Sequence, residues 1–428
     1  MSNDEIMPAE AVKHTVARLT YPGGAFAVDE EVYLDRPFSA QSKAFISQLS
    51  HRLMESASGE FSNDLMALGF WFRDAAVNQL QAEQEKETQA LLKPVGVVFQ
   101  VAPGNVETLF LYCGLLSLLL GNFTLIRVSR RRNRLFDKLL GLLNELLSLP
   151  VFSSICQRWQ LIDCDHSDPT IGQISAGCDL RILWGSDATI QALRQIPLKP
   201  SAKDLSFAAR CSLAVISVAA VQQAVSDDSP TYQRLIEYFC RDAFSLKQQA
   251  CTSCRAVVWI LEGVDAQSCA AEVIERFWVD VCKYCLRHGI NFAGVELVQR
   301  VTARQAMAIV CENDCQVLSG ENVLFERLQV SELSSTLMAQ HAGCGLFLET
   351  AIKDMCSFVL PDAMGVQTLG YWGLSKAQIS AWLQDALKRA PMRAVPARTV
   401  PLGQMNQFER VWDGYDLCRE LTCQMVIG

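Results

Sequence analysis

Residues 247–260 read KQQACTSCRAVVWI, and in them Cys251 stands behind two glutamines and ahead of small polar residues, with Cys254 three positions on. A thiol on a loop between a helix and a strand can serve as a nucleophile, because loops at strand ends commonly carry reactive groups. It can equally be half of a redox or metal pair, or one more small buried hydrophobe. A second C-x-x-C, Cys282/Cys285, follows 27 residues after the first. That gap is longer than ribbon-type zinc sites use, and VDVCKYCLRHG continues a helical pattern with no glycine knuckle. Cys282 and Cys285 are therefore expected to face a core, and no metal is expected. The five histidines (His14, His51, His166, His288, His341) form no HxxxH or HExxH group. Each is read as satisfied or exposed.

A different chemistry is suggested by IRVSRRRNR, where Arg127, Arg130, Arg131, Arg132 and Arg134 crowd together. Ser129 can N-cap the helix that follows, which sets several arginines in its first turn against the helix dipole. An anion such as a phosphate would offset that repulsion. A solvated basic face is the alternative, and nucleic acid is not expected, since no aromatic residues interleave with the arginines. In LRILWGSD a strand ends at Gly185-Ser186 and a helix opens, which suits close approach by a phosphate or a nicotinamide. One glycine is a weak signal, and without G-x-G-x-x-G an ordinary Rossmann dehydrogenase is not supported.

These residues need elements to position them. Residues 1–60 read as a leader with two short β-like pieces, AFAV and EVYL, and residues 63–92 as one helix. The pattern then changes. VGVVFQVAP, FTLIRVS, RWQLIDC, LRILWG and SLAVISVAA read as strands, separated by the helices NVETLFLYCGLLSLLL, RNRLFDKLLGLLNELLSL and TIGQIS. SPTYQRLIEYFCRDAFSL is a further helix, and RAVVWILEG opens a second series that AAEVIERFWVDVCKYCLRHG, GVELVQ and TARQAMAIVCEN continue. Near-continuous apolar strands alternating with helices imply parallel sheets covered on both faces. The expected fold is α/β, with two interleaved lobes built on parallel-rich open sheets, and a C-terminal tail. Its boundaries are a leader over 1–60, domains over 61–225 and 226–398, and a segment over 399–428 that returns to the first domain or to an oligomer interface.

Composition limits the partners. Of 428 residues half are apolar and a fifth charged, with a net charge of −8, a globular make-up that argues against nucleic acid as the main partner. Seventeen cysteines, scattered and odd in number, do not form a disulfide scaffold. The start, MSNDEIMPAEAVKH, lacks the basic and apolar regions of a signal peptide, so a reducing cytoplasm is expected. VETLFLYCGLLSLLLGNFTLI imitates a membrane span. Its helical part is only about 13 residues, short of the ~20 that a bilayer needs, and a buried core helix is expected instead.

Four stretches in order resemble the aldehyde dehydrogenase superfamily. KPVGVVFQVAPGNVETLF resembles its strand leading to an asparagine turn, and GNFTLIRVSR its strand ending in Lys-Pro-Ser-Glu. LRILWGSD stands in place of the Phe-Thr-Gly-Ser turn, and QQACTSCRAVVWI resembles the Gly-Gln-x-Cys loop with the strand behind it. Gln-Gln-Ala-Cys, the Trp-Gly turn and a late VWDGYDL look most like the LuxC-type acyl-CoA reductases, over roughly residues 60–428. The resemblance implies a cofactor domain over 61–225 and a catalytic domain over 226–398. It makes Cys251 the acyl-accepting nucleophile and Asn105 an oxyanion-hole amide. It puts Arg127 at the adenosine ribose, Ser129 in the same motif, and Trp184, Gly185 and Ser186 in the cofactor turn. Arg130 stands where NAD-preferring members carry glutamate; a guanidinium there would pair with a 2′-phosphate, which implies NADPH, with NADH as the alternative.

Departures sharpen the implied reaction. The general base for water should fall near KDLSFAARCSL, where there is no glutamate. An oxidising dehydrogenase needs that base; a reductase that takes an acyl group and releases an aldehyde does not. Ile190 replaces the second glycine of Gly-Ser-Thr-x-x-Gly, and Cys254 replaces an expected proline, leaving room for an oxidative Cys251–Cys254 disulfide. The implied substrate is an acyl thioester, acyl-CoA or acyl-protein, supplied by an acyl-activating (acyl-protein) synthetase partner. A homo-oligomer is implied too, although EKETQALLKPVG is short for the superfamily's tetramer hairpin. Three rivals stay open: an NAD(P)-dependent aldehyde dehydrogenase, a cysteine acyltransferase or thioesterase, and an inactive scaffold on the same fold.

Overall fold

The computed structural model describes residues 16–26, 32–59, 62–87, 90–104, 107–128, 133–165, 167–227, 230–264, 267–311, 314–318, 324–360, 365–389 and 395–426. The chain divides into two compact units, one of Met1–Phe61, Leu68–Ala208 and Cys418–Gly428, the other of Ser62–Ala67 and Ala209–Leu417. Each holds a parallel-rich α/β sheet. The division falls ahead of the strand Cys211–Ser217, whereas the sequence reading placed a boundary after residue 225. That strand continues the first series along the chain, but it pairs with Cys254–Ile260 and Val366–Trp372. Ladder partners, and not order along the chain, decide which sheet a strand joins.

In the first unit the strand order is Gly24–Ala25, Ala17–Arg18, Trp159–Asp163, Phe123–Val128, Val97–Val101, Leu180–Trp184, Lys203–Phe207. The last five are mutually parallel. Numbered along the chain they run 3-2-1-4-5, so the winding direction reverses between Val97–Val101 and Leu180–Trp184. The helices Pro169–Gly177 and Asp187–Arg194 cover one face through Ile171, Ile174, Ile190 and Leu193. Glu107–Leu119 is buried, with Leu111, Leu115 and Leu118 fully enclosed, and no single helix among the described residues is long and apolar enough to cross a membrane. Gly96, at φ 128°, opens the central strand; a Cβ there would stand 2.1 Å from the Asp179 carboxylate, which accepts from Val97 N at 2.8 Å.

The leader holds more structure than expected. Ala40–Glu55 is a helix capped by Ser39, with Phe45, Ile46, Leu49 and Leu53 buried along one stripe. The β-like pieces shrink to Gly24–Ala25 with Ala17–Arg18; the other, EVYL, forms no strand over residues 32–34. Residues 63–92, read as one helix, form two, Ser62–Trp71 and Asp74–Glu87, followed by the strand Leu91–Pro94. The break is held by Arg73, whose Nη1 donates to Phe70 O at 2.5 Å while its guanidinium lies over the Phe70 ring. Leu91–Pro94 pairs with Thr422–Met425. Nearby, Leu421 O accepts from Asn122 Nδ2 at 3.0 Å and Val95 N at 3.2 Å. Of the segment 399–428, therefore, only residues from 418 onward join the first unit, and Arg398–Pro401 is an edge strand of the second sheet.

The second unit is a three-layer sandwich. Its sheet runs Cys315–Leu318, Glu326–Val330, Leu346–Ile352, Cys254–Ile260, Cys211–Ser217, Val366–Trp372, Arg398–Pro401, parallel except for the first pair. Val218–Ser226, Pro230–Phe244 and Gln267–Arg287 cover one face, packing Phe239, Phe277 and Trp278 on Ile216, Val257 and Trp259. Gly294–Val310, which contains both GVELVQ and TARQAMAIV, covers the other with Lys376–Arg389, packing Met307 and Trp382 on Leu213, Ala256 and Val258. Alternate residues of each strand reach alternate cores, as the period-2 pleat requires.

Candidate active site

Cys251 lies on the loop between the helix Pro230–Phe244 and the strand Cys254–Ile260. It is partly exposed, while Ala250, Thr252 and Ser253 beside it are buried. The loop is tied across the amino ends of four strands. Ser212, at the start of Cys211–Ser217, donates from Oγ to Cys251 O at 2.6 Å and accepts from Thr368 N at 3.0 Å. Because that hydroxyl accepts an N–H, its proton is committed to the Cys251 carbonyl. Gln248 Nε2 donates to Cys254 O (2.8 Å) and Leu346 O (2.9 Å), and its Oε1 accepts from Gly345 N (2.8 Å). Gln249 Nε2 donates to Ala342 O at 2.9 Å. Thr252 Oγ1 bonds Asn406 Oδ1 at 2.6 Å, and Asn406 Nδ2 donates to Asp242 O at 3.0 Å.

The neighbouring thiols are differently placed. A β-bulge between Cys254 and Ala256 shifts the register against Cys211–Ser217. It turns Cys254 into the core beneath the covering helices, where burial pushes its thiol far above the usual range. Its Sγ points to Ala256 O at 3.3 Å, so Cys254 is a poor resolving partner for Cys251. Cys211 is buried in the opposite core, pushed up to about 11 by burial, with the charge of a Cys251 thiolate adding in the same direction. Cys285 lies in the helix-covered core and Cys282 packs against it. His341 is buried and held down to about 3 by burial and the nearby Arg255. Its Nδ1 accepts from Gly343 N at 3.0 Å, which leaves Nε2–H for Arg255 O at 3.1 Å. This imidazole is neutral and structural.

In the first unit the candidate cofactor residues that the structure describes, Arg127, Trp184, Gly185 and Ser186, lie along the carboxyl edge of the sheet. Val101 pairs with Arg127 on one side and Leu183 on the other, so Arg127 and the Trp184–Ser186 turn end at one level. The reversal of winding falls between these strands, and open α/β sheets bind ligands in the crevice outside such a switch point. Arg127 is buried; its Nε donates to Cys164 O at 2.9 Å, and burial lowers its pKa against the favourable charges of Asp163 and Asp165. Trp184 is buried and stacks on Phe207 at 4.0 Å. Gly185 N donates to Phe207 O, and a Cβ at Gly185 would meet Thr189 at 3.3 Å. Ser186 is exposed and caps Asp187–Arg194 by accepting from Thr189 N at 3.3 Å. Asn133, and not Ser129, caps the helix Arg134–Leu147. Ile190 is buried in the core. Asn105, Ser129, Arg130, Arg131 and Arg132 lie outside the described residues.

Sequence reasoning missed Gln248, Ser212, Asn406 and Asp242. Asp242 is buried, and its carboxylate accepts from Gly403 N and, at 3.2 Å, from Met405 N. Burial pushes it up to about 7 against those bonds and the charges of Arg241 and Arg398. The only signal for Gln248 was its place in the Gln-Gln-Ala-Cys run; for the other three there was none, because their partners lie far along the chain.

Comparison with known proteins agrees with this architecture. Residues 78–277 match the family described as acyl-CoA reductase (LuxC). No curated protein sequence matches the chain. Among solved structures it is similar to an NAD-dependent benzaldehyde dehydrogenase from Corynebacterium glutamicum (12% identity, 90% of this chain and 83% of that one, TM-score 0.61). It is also similar to aldehyde dehydrogenase 21 from Physcomitrella patens in complex with succinate (11%, 90% and 85%, TM-score 0.63). Lactaldehyde dehydrogenase from Escherichia coli gives 12%, 90% and 86%, with TM-score 0.59. At such identities the likeness to solved structures concerns the fold. The chain has the aldehyde dehydrogenase fold, and its residues 78–277 are similar to the acyl-CoA reductase (LuxC) family.

Proposed function

We propose that this protein reduces an acyl thioester to an aldehyde through a covalent acyl-enzyme on Cys251, with NADPH as the hydride donor and NADH as the alternative. The observation that carries the reading is the Cys251 loop: one partly exposed thiol among buried neighbours, its own carbonyl fixed by Ser212. Cys251 thiolate attacks the acyl carbonyl, the donor's own C–S bond breaks, and its sulfur leaves as a thiolate that takes a proton from solvent. The Cys251 backbone amide is the donor offered to the developing oxyanion, a contribution of roughly 3–4 kcal/mol when well placed, and the resemblance to the family implies the same task for Asn105. When bound, a reduced nicotinamide supplies the hydride that turns the thioester into a thiohemiacetal. Collapse of that adduct releases the aldehyde and returns the thiolate.

The residues of the first unit fit such a cofactor by the winding reversal at the carboxyl edge of the sheet and by the solvent-exposed helix start at Ser186. Arg130 and Ser129 carry the NADPH preference by sequence. The reductive direction is supported by the stretch that lacks glutamate. Its one carboxylate, Asp204, is engaged by Arg181 at 3.1 and 2.9 Å and is not placed to activate water. The setting we propose is a cytoplasmic homo-oligomer that receives its acyl group as acyl-CoA or from an acyl-activating synthetase.

The test is NADPH oxidation against a panel of acyl-CoAs, with the aldehyde trapped and identified. Cys251→Ala should abolish both labelling by a radioactive acyl donor and NADPH consumption; survival of either would sink the assignment. Aldehyde oxidation faster than acyl-CoA reduction would favour the dehydrogenase reading. Acyl labelling without NADPH binding would favour an acyltransferase.

A further inference from the structure

Leu246, Lys247 and Gln248 have φ of 53°, 52° and 62°, three consecutive non-glycine residues in the left-handed region. Single residues visit this region at a cost; runs are rare and persist only where the surroundings over-determine them. Lys247 is tethered by Glu296 at 2.7 Å, and its carbonyl accepts from Cys344 N at 3.2 Å. Gly343, itself at φ 72°, lets the chain pass so close that a Cβ there would stand 2.5 Å from Gln248 O.

The Gln248 side chain is fully buried, and each polar group of its amide is used: both N–H bonds go to carbonyls, and the oxygen takes an N–H. Those partners fix which end is nitrogen. One of them, Cys254 O, lies six residues on. The amide thus joins the two ends of the seven-residue loop 248–254, of which Cys251 is the midpoint.

We propose that Gln248 is a positioning residue, a clasp whose side-chain amide closes the Cys251 loop and sets where the thiol stands. The proposal rests on the reading of Cys251 as the nucleophile. The left-handed backbone brings the amide inward, and the hydrogen bonds, not the backbone angle, carry the function.

The experiment compares Gln248→Ala, Gln248→Gly and the isosteric Gln248→Glu in the full-length protein. Glutamate keeps an acceptor for Gly345 N but turns an oxygen toward two carbonyls. Two readouts are taken: kcat and KM for acyl-CoA reduction, and iodoacetamide alkylation of Cys251 relative to exposed Cys356, followed by peptide mass spectrometry. All three variants should lose ~10–100-fold in kcat with KM changed less than about threefold, as expected when an attacking group is misplaced by around an ångström. The Cys251/Cys356 alkylation ratio should shift at least threefold, while Gln248→Gly, which relieves the positive φ, still melts in one cooperative transition well above the assay temperature. Wild-type kcat in Gln248→Gly would overturn the proposal, since the position would then need only to admit a positive φ. An unchanged alkylation ratio in all three variants overturns it too, whatever Cys251→Ala does to activity. Loss of the nucleophile reading is recognised separately, by activity surviving Cys251→Ala.

Discussion

Asp242 should make the second unit less stable as pH rises, and the size of the effect can be worked out. Its carboxyl is fully buried in the helix Pro230–Phe244, and burial lifts its pKa to about 7 against two backbone N–H bonds and the guanidiniums of Arg241 and Arg398. An unfolded aspartate titrates near 3.9. Between these values the folded chain keeps a proton that the unfolded chain has lost, so stability falls as pH rises from about 4 and levels off above about 7. At about 1.4 kcal/mol per unit, the window from 3.9 to about 7 holds about 4 kcal/mol, of which about 1.4 kcal/mol falls between pH 6 and 8. Asp242→Asn abolishes that titration while keeping one acceptor for Gly403 N or Met405 N. Urea unfolding of both proteins, followed by tryptophan fluorescence at pH 6, 7 and 8, gives the difference in stability at each pH. All other titrating groups cancel in that difference, which should move by about 1.4 kcal/mol in favour of the variant from pH 6 to 8. A gap that stays constant would refute the reasoning: the two N–H bonds would then outweigh burial and hold the carboxylate ionised throughout.

Two further outcomes test other parts of the fold. Glu349 is buried in the second unit, accepting from Trp259 Nε1 (2.8 Å) and Trp278 Nε1 (2.9 Å) while pairing with Arg327. Glu349→Ala leaves two indole N–H groups and the buried Arg327 Nε–H unsatisfied, while Glu275 keeps both terminal nitrogens, and should cost about 3–5 kcal/mol in urea unfolding. A loss below about 1 kcal/mol would mean that Glu275, which also pairs with Arg327, compensates. In the first unit, Gly96→Ala forces a side chain at φ 128° into the Asp179 carboxylate and breaks its bond to Val97 N. Its melting temperature should drop by several degrees, and an unchanged value would show that the strand entry relaxes freely.

The sequence made the architecture legible because its strands are long apolar runs between helices of clear period, and Cys251 because a motif surrounds it. What escaped has identifiable causes. The helix Ala40–Glu55 carries its apolar stripe at Phe45, Ile46, Leu49 and Leu53, but β-like neighbours masked it. The reversal of strand order in the first sheet leaves no local mark, since the residues that decide it lie on strands separated by whole βα units. The left-handed run at 246–248 has no glycine or asparagine to announce it. Cys254 read as a partner for Cys251 by spacing alone, until a bulge turned it into the core.

The pairing of Thr422–Met425 with Leu91–Pro94, and the reach of Leu421 O to Asn122 Nδ2 across 299 residues, bear on the order of events during synthesis. Nearly all of the second unit, residues 209–417, is made before the strand that completes the first. A ribosome-bound chain can therefore finish the half that carries Cys251 while the other still waits with Leu91–Pro94 unpaired. Closing so distant a contact is slow. The open strand edge is the surface that chaperones would need to shield in that interval.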